Sequence, residues 1–119
     1  MSYAAYANVQ KATETARDIE IRAVSHVTKR LAEVNEPDAA PLERVLALND
    51  NIKLWNMLIE DLEDPGNALP DVLKASYISI GMFARRSSLA ALSQDTNLAT
   101  LIDINIDVLE ALNSQRLAA

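Results

Sequence analysis

Apolar residues recur along the first half of the chain with the spacing of an α-helix. Four of them follow at steps of three or four positions: Val24, Val27, Leu31 and Val34. This spacing places them on one side of a helix. Thr15, followed three residues later by Asp18, has the pattern of a capping box, so the helix is predicted to start near Ala16. Pro37 cannot continue a helix and marks its end.

A longer apolar stripe predicts a central helix that starts at Pro41, a residue suited to a first helical turn. Its members share helical spacing over about six turns: Leu42, Val45, Leu48, Ile52, Trp55, Ile59 and Leu62. Leu46, Leu54 and Leu58 widen the stripe. The sequence from Glu60 to Asn67, with four carboxylates, a proline and a glycine, ends this helix and predicts a turn.

Two further helices are predicted after that turn. The first starts at Pro70-Asp71 and carries two apolar rows: Leu69, Leu73, Tyr77, Ile80 and Ala84 in one, and Ile78, Met82, Leu89 and Leu92 in the other. A helix that is apolar on two sides is predicted to lie between two partners. Gly81 lowers the stability of a helix interior by about 1 kcal/mol relative to Ala. Its presence there indicates a close approach to a neighbouring helix. The last helix, after Thr96, is apolar on nearly all sides.

A short amphipathic pattern in residues 3–13, with Tyr3, Tyr6 and Val9, predicts one more helix at the start of the chain. Two glycines and four prolines in 119 residues are typical of a mostly helical protein. We therefore predict the all-α class: a single small bundle of about five helices, forming one domain over residues 1–119.

The charge and residue content limit the function. A formal charge of -6 disfavours binding to nucleic acid or to anionic lipid, and Lys29-Arg30 and Arg85-Arg86 form only short basic clusters. The chain has no cysteine and one histidine, His26, so a metal centre would depend on carboxylates. The acidic stretch that starts at Asp61 lacks the glutamate of a calcium loop, because its twelfth position is Val72. We expect no enzyme activity, no metal, no cofactor and no membrane insertion.

Four segments carry a resemblance to a known family: Leu54-Trp55, the sequence DPGNALPD from Asp64 to Asp71, ISIG from Ile78 to Gly81, and LIDIN from Leu101 to Asn105. With Tyr3 and the segment Thr15–Glu20, the chain resembles the FlaF flagellar biosynthesis regulators of alphaproteobacteria over nearly its whole length. It departs from the family at Ala16, where proline is frequent.

The resemblance implies a cytoplasmic helical protein that acts in flagellin synthesis and export. It implies that flagellin is the partner, held by a flagellin-binding chaperone that works alongside the translational regulator FlbT, and it implies no catalytic residues. The ends of flagellin are amphipathic helices, and an acidic helical carrier can bind such a helix in an apolar groove. Two alternatives remain: an RNA-linked post-transcriptional regulator of flagellin, and a helical adaptor that self-associates as a homo-oligomer.

The partner-binding surface is predicted on the helix with two apolar rows and on the helix that follows it, because a small bundle has too few neighbours to cover both rows. The predicted residues are Trp55, Tyr77, Ile80, Phe83, Ala84, Leu101 and Ile104. The alternative interpretation of Trp55 is that it anchors the core.

Overall fold

The computed structural model describes residues 15–118, with the side chains of residues 15–114. In this part of the chain there are four helices and no strand: α1 (Ala16–Val34), α2 (Pro41–Glu63), α3 (Asp71–Ala91) and α4 (Ala99–Ala118). The predicted all-α class is confirmed. The described residues contain four helices where about five were predicted, and the predicted helix at residues 3–13 lies outside them.

The ends of the helices follow from local sequence. Thr15 Oγ1 accepts a hydrogen bond from the Asp18 amide at 3.1 Å, and Asp18 Oδ2 accepts one from the Thr15 amide at 3.4 Å. This capping box confirms the predicted start of α1. Pro41 is the first residue of α2, and Pro70 lies immediately before α3, where its missing amide hydrogen is not needed.

The predicted turn is confirmed from Asp64 onward, whereas the first half of the predicted stretch, from Glu60 to Glu63, is still part of α2. The Gly66 amide donates to Asp64 Oδ1 at 2.7 Å, and Asn67 Nδ2 donates to Asp61 Oδ2 at 3.2 Å. The two carboxylates therefore serve as local acceptors that stabilise the reversal of the chain.

Neighbouring helices run antiparallel. Arg85 on α3 donates to Asn56 on α2 at 2.9 Å, and the Leu98 amide before α4 donates to Asn35 after α1 at 2.8 Å. α1 packs against both α2 and α4, and α3 packs mainly against α2. The contact between α3 and α4 is the least extensive of the four, so the ring of helices is most open on that side.

The core is built mainly from α1, α2 and α4. All four residues of the predicted α1 stripe are buried, which confirms it. The α2 stripe is only partly correct, because its members Leu42 and Val45 are exposed, as is Leu46, which was predicted to widen it. Leu42 lies nine residues before the buried Asn51, which is about two and a half helical turns, so the two side chains point to opposite sides of α2.

α3 contributes only small residues to the interior: Gly81, Ala84, Ser88 and Ala91. A Cβ at Gly81 would lie 2.7 Å from Trp55 Cε3 and 2.9 Å from Ile59 Cγ1, which confirms the predicted close approach of a neighbouring helix. The prediction that α3 lies between two partners is only partly correct, because α3 packs closely against α2 but makes little contact with α4. One of its two apolar rows includes the buried Ala84, but large side chains of both rows, among them Ile80 and Met82, stay exposed.

A chain of hydrogen bonds between buried polar side chains crosses the core. Trp55 Nε1 donates to Asn105 Oδ1 at 2.9 Å, and Asn105 Nδ2 donates to Asn51 Oδ1 at 2.8 Å. Asn51 Nδ2 then donates to Ser88 Oγ at 3.0 Å, and Ser88 donates to the Ala84 carbonyl at 2.7 Å. The network joins α2, α3 and α4 and favours one register, because any slip would leave buried polar groups unpaired.

Candidate functional site

An open groove of about 300 Å³ lies between α3 and α4, on the side where these two helices contact each other least. Its lining is mainly apolar: Tyr77, Ser79, Ile80, Phe83, Ile104, Asp107 and Val108. A concave apolar surface with a few polar groups at its border is the usual form of a binding site for a helix or a small molecule.

The groove exists because α3 faces α2 with small residues. Gly81 and Ala84 let the backbone of α3 lie close to α2, so the larger side chains project from the flanks of the helix instead. Ile80 and Phe83 are on the flank toward α4, where they remain 39% and 44% exposed. The described part of the chain covers them only in part.

Four of the seven predicted partner-binding residues lie together in this groove: Tyr77, Ile80, Phe83 and Ile104. That they bind a partner stays a prediction. Trp55, Ala84 and Leu101 are buried in the core and are not on the groove surface. Trp55 is inaccessible because its ring packs beneath Gly81 and its indole nitrogen is held by Asn105, which supports the alternative interpretation of this residue as a core anchor.

Three groove residues were not predicted: Ser79, Asp107 and Val108. Helical spacing could have identified all three. Ser79 lies four residues before Phe83, and Asp107 and Val108 lie three and four residues after Ile104; residues so spaced are neighbours on a helix surface. Ser79 and Asp107 are polar, so the pattern of apolar positions alone does not include them.

A small cluster of charges lies at the end of the bundle beside the groove. Arg17 Nη1 is 2.7 Å from Glu20 Oε2 and 3.9 Å from Asp61 Oδ2, and all three residues border a narrow cavity that Tyr77 and Val108 also line. The pKa of Glu20 is raised to about 6, mainly by burial; the positive charge of Arg17 opposes the shift and the negative charge of Asp61 adds to it. This buried glutamate was not predicted from the sequence.

Within residues 15–118, no group of three or more His, Asp or Glu side chains is placed to hold a metal ion. His26 is exposed on α1. No helix of the described part is both long enough and apolar enough to cross a bilayer.

These features define an all-α bundle protein with an apolar groove open between two of its helices. The comparison with protein families identifies the family. Residues 2–112 match the family model described as flagellar protein FlaF, and the chain belongs to this family. No curated protein and no solved structure matches the chain.

Proposed function

We propose that this FlaF-family protein acts in flagellin synthesis and export as a non-catalytic, cytoplasmic flagellin-binding chaperone. In this proposal a terminal helix of flagellin occupies the groove between α3 and α4. Membership in a flagellar family supports the biological context. The observation that carries the proposal is the groove itself, in which Ile80 and Phe83 keep large apolar surfaces open to solvent.

The mechanism needs no chemical step. An unassembled flagellin helix has an apolar face that favours aggregation, and placing this face in the groove buries apolar surface on both molecules. Each Å² of apolar surface removed from water contributes roughly 25 cal/mol before the entropy lost on association is subtracted. The negative charge of the carrier, -6 overall, keeps the complex in solution.

Calorimetric titration with flagellin, using two variants of α3, tests the proposal. Phe83 and Met82 are both 44% exposed, but only Phe83 lines the groove. We expect Phe83→Ser to weaken flagellin binding by roughly tenfold or more, as loss of an apolar anchor does. Met82→Ser is the matched control and should keep the affinity. Equal binding by both variants and the wild type would exclude this groove as the flagellin site.

Titration with flagellin message and measurement of molecular size test the two alternatives. An RNA-linked regulator would bind flagellin message with an affinity that falls steeply as salt rises, and the charge of -6 argues against it. A self-associating adaptor would change its molecular size with its own concentration, and Phe83→Ser would abolish that change whether or not flagellin is present. Joint action with FlbT is tested by adding FlbT to the preformed complex with flagellin.

A further inference from the structure

The two edges of the groove differ in charge. Asp107 lines the groove on the α4 side, and Asp103 lies one helical turn before it on the same side of α4. Both carboxylates are exposed, and neither forms a hydrogen bond or an ion pair with another residue in the described part of the chain. The α4 edge of the groove therefore carries acidic side chains that no residue of the described part neutralises.

The α3 edge has a different character. Ser79 is the polar residue that this helix contributes to the groove lining, and no lysine or arginine among residues 15–114 lines the groove. Between the two edges lie Ile80, Phe83 and Ile104. A ligand in the groove meets an apolar floor, a hydroxyl on one side and a negative charge on the other.

We infer that the groove takes an amphipathic helix whose lysine or arginine side chains lie along the edge that faces Asp103 and Asp107. The inference rests on the proposed function in that it concerns the same groove, and it specifies the chemistry of the occupant. The apolar face of this helix contacts Ile80, Phe83 and Ile104. Its basic edge neutralises the two carboxylates, which have no cationic partner in the described part of the bundle.

The physical basis is complementarity of shape and charge. Lysine and arginine can lay their aliphatic stems on an apolar wall such as Ile104 while their charged ends reach a carboxylate at its border. Exposed ion pairs add little affinity each, but they suppress the binding of helices with the wrong charge. A helix with cations along one edge satisfies the acidic border in one direction only, so the charges also select the polarity of the bound helix.

The experiment uses two synthetic helical peptides with the same apolar stripe, one with lysines and the other with glutamates along one edge. Each is titrated against the wild type, Asp107→Lys and Glu60→Lys. Glu60 is exposed on α2 and does not line the groove, so its reversal changes the net charge by the same amount at a distant place. Thermal unfolding of each variant establishes that it is folded.

We expect the wild type to bind the lysine-edged peptide about tenfold more tightly than the glutamate-edged one. Asp107→Lys should lower the affinity for the lysine-edged peptide by roughly three- to tenfold and raise the affinity for the glutamate-edged one. Glu60→Lys should change either affinity by less than about twofold, because solvent and salt screen distant charges. Equal changes in peptide affinity for Asp107→Lys and Glu60→Lys would mean that Asp107 acts only through the net charge of the protein, and would overturn the inference. Absence of any preference in the wild type would overturn it as well.

Full-length flagellin, titrated in parallel, separates this inference from the proposed function. Binding of flagellin that is unaffected by Asp107→Lys would leave the chaperone proposal standing and refute the charged edge. Binding of the lysine-edged peptide without binding of flagellin would support the charged edge and refute the chaperone proposal. Failure of both peptides to bind, together with concentration-dependent growth in size, would identify a second copy of the chain as the occupant and overturn the inference.

Discussion

α2 and α3 are adjacent antiparallel helices of 23 and 21 residues, and they use their apolar side chains in opposite ways. α2 buries its large residues, among them Leu48 and Trp55. α3 buries nothing larger than alanine or serine, while Ile80 and Phe83 stay exposed. The two helices pack on each other, yet one supplies the volume of the core and the other supplies a surface.

The difference shows how a small bundle keeps an apolar surface open without losing its fold. Close contact between α2 and α3 needs small side chains on one of them, and Gly81 meets that need against Trp55 and Ile59. The large residues of α3 then lie on its flanks, where α4 only partly covers them. Apolar surface that is exposed in this arrangement is available to a partner.

Replacing Trp55 should have the largest effect on stability, because this residue carries the role that we assign to α2. Trp55→Ala removes a fully buried ring and leaves Asn105 without its donor, so we expect the free energy of unfolding to fall by about 4 kcal/mol. Urea denaturation measures it, with Phe83→Ala as the comparison on α3. Similar losses in both variants would contradict the division of roles between the helices.

Gly81→Ala tests the close approach of α2 and α3, because the approach determines whether the substitution raises or lowers the free energy of unfolding. In an ordinary helix interior this change stabilises by about 1 kcal/mol. Here the new Cβ would lie 2.7 Å from a Trp55 ring atom that cannot move cheaply, so we expect a net destabilisation of about 1–3 kcal/mol. Ser76→Ala, at an exposed position of α3, is the control and should stay within about 0.5 kcal/mol. A stabilised Gly81→Ala variant would mean that the helices are further apart.

Glu20→Gln extends the comparison of α2 with α3 to the side of α2 that faces α1, where Asp61 lies near Glu20. Burial raises the pKa of Glu20 from 4.5 to about 6, so the folded chain holds this proton more tightly than the unfolded chain. The stability linked to the proton is complete below about pH 4.5 and is lost as the pH rises through about 6. Glutamine mimics the protonated acid. We therefore expect the free energy of unfolding of Glu20→Gln, relative to the wild type, to be up to about 2 kcal/mol higher at pH 7.5 than at pH 4.

Chemical denaturation of the wild type and Glu20→Gln at several pH values measures this difference. Asp50→Asn is a suitable control, since Asp50 pairs with Arg30 on a more exposed part of the bundle. A stability difference between wild type and Glu20→Gln that does not change between pH 4 and pH 7.5 would show that Glu20 is not a buried acid.

Ile80→Ser should have the smallest effect on the fold, because Ile80 is one of the exposed residues that distinguish α3 from α2. At 39% exposure, we expect a loss of about 1 kcal/mol or less, whereas a core position would lose roughly 3 kcal/mol or more. Thermal and urea unfolding measure the change. A core-sized loss would place Ile80 in the interior and move the open groove elsewhere.

The four described helices and the starts of the first three could be predicted from local sequence. Thr15, Pro41 and Pro70 act on the few residues next to them, through capping and through the missing amide hydrogen of proline, so their effect does not depend on the rest of the fold. The Gly81 contact was also predictable, because a glycine weakens a helix interior and is tolerated there where a neighbour needs the space of a side chain. The family resemblance, confirmed over residues 2–112, likewise follows from the sequence.

Which apolar residues are buried depends instead on how the helices assemble. Helical spacing assigns Ile80 and Ala84 to one row, but the position of α2 buries Ala84 and leaves Ile80 exposed. The pairing of Asn51 with Asn105 and the groove between α3 and α4 arise in the same way. A pattern along one helix specifies its own faces, whereas burial depends on how closely its neighbours pack, and that depends on side chains distant in sequence.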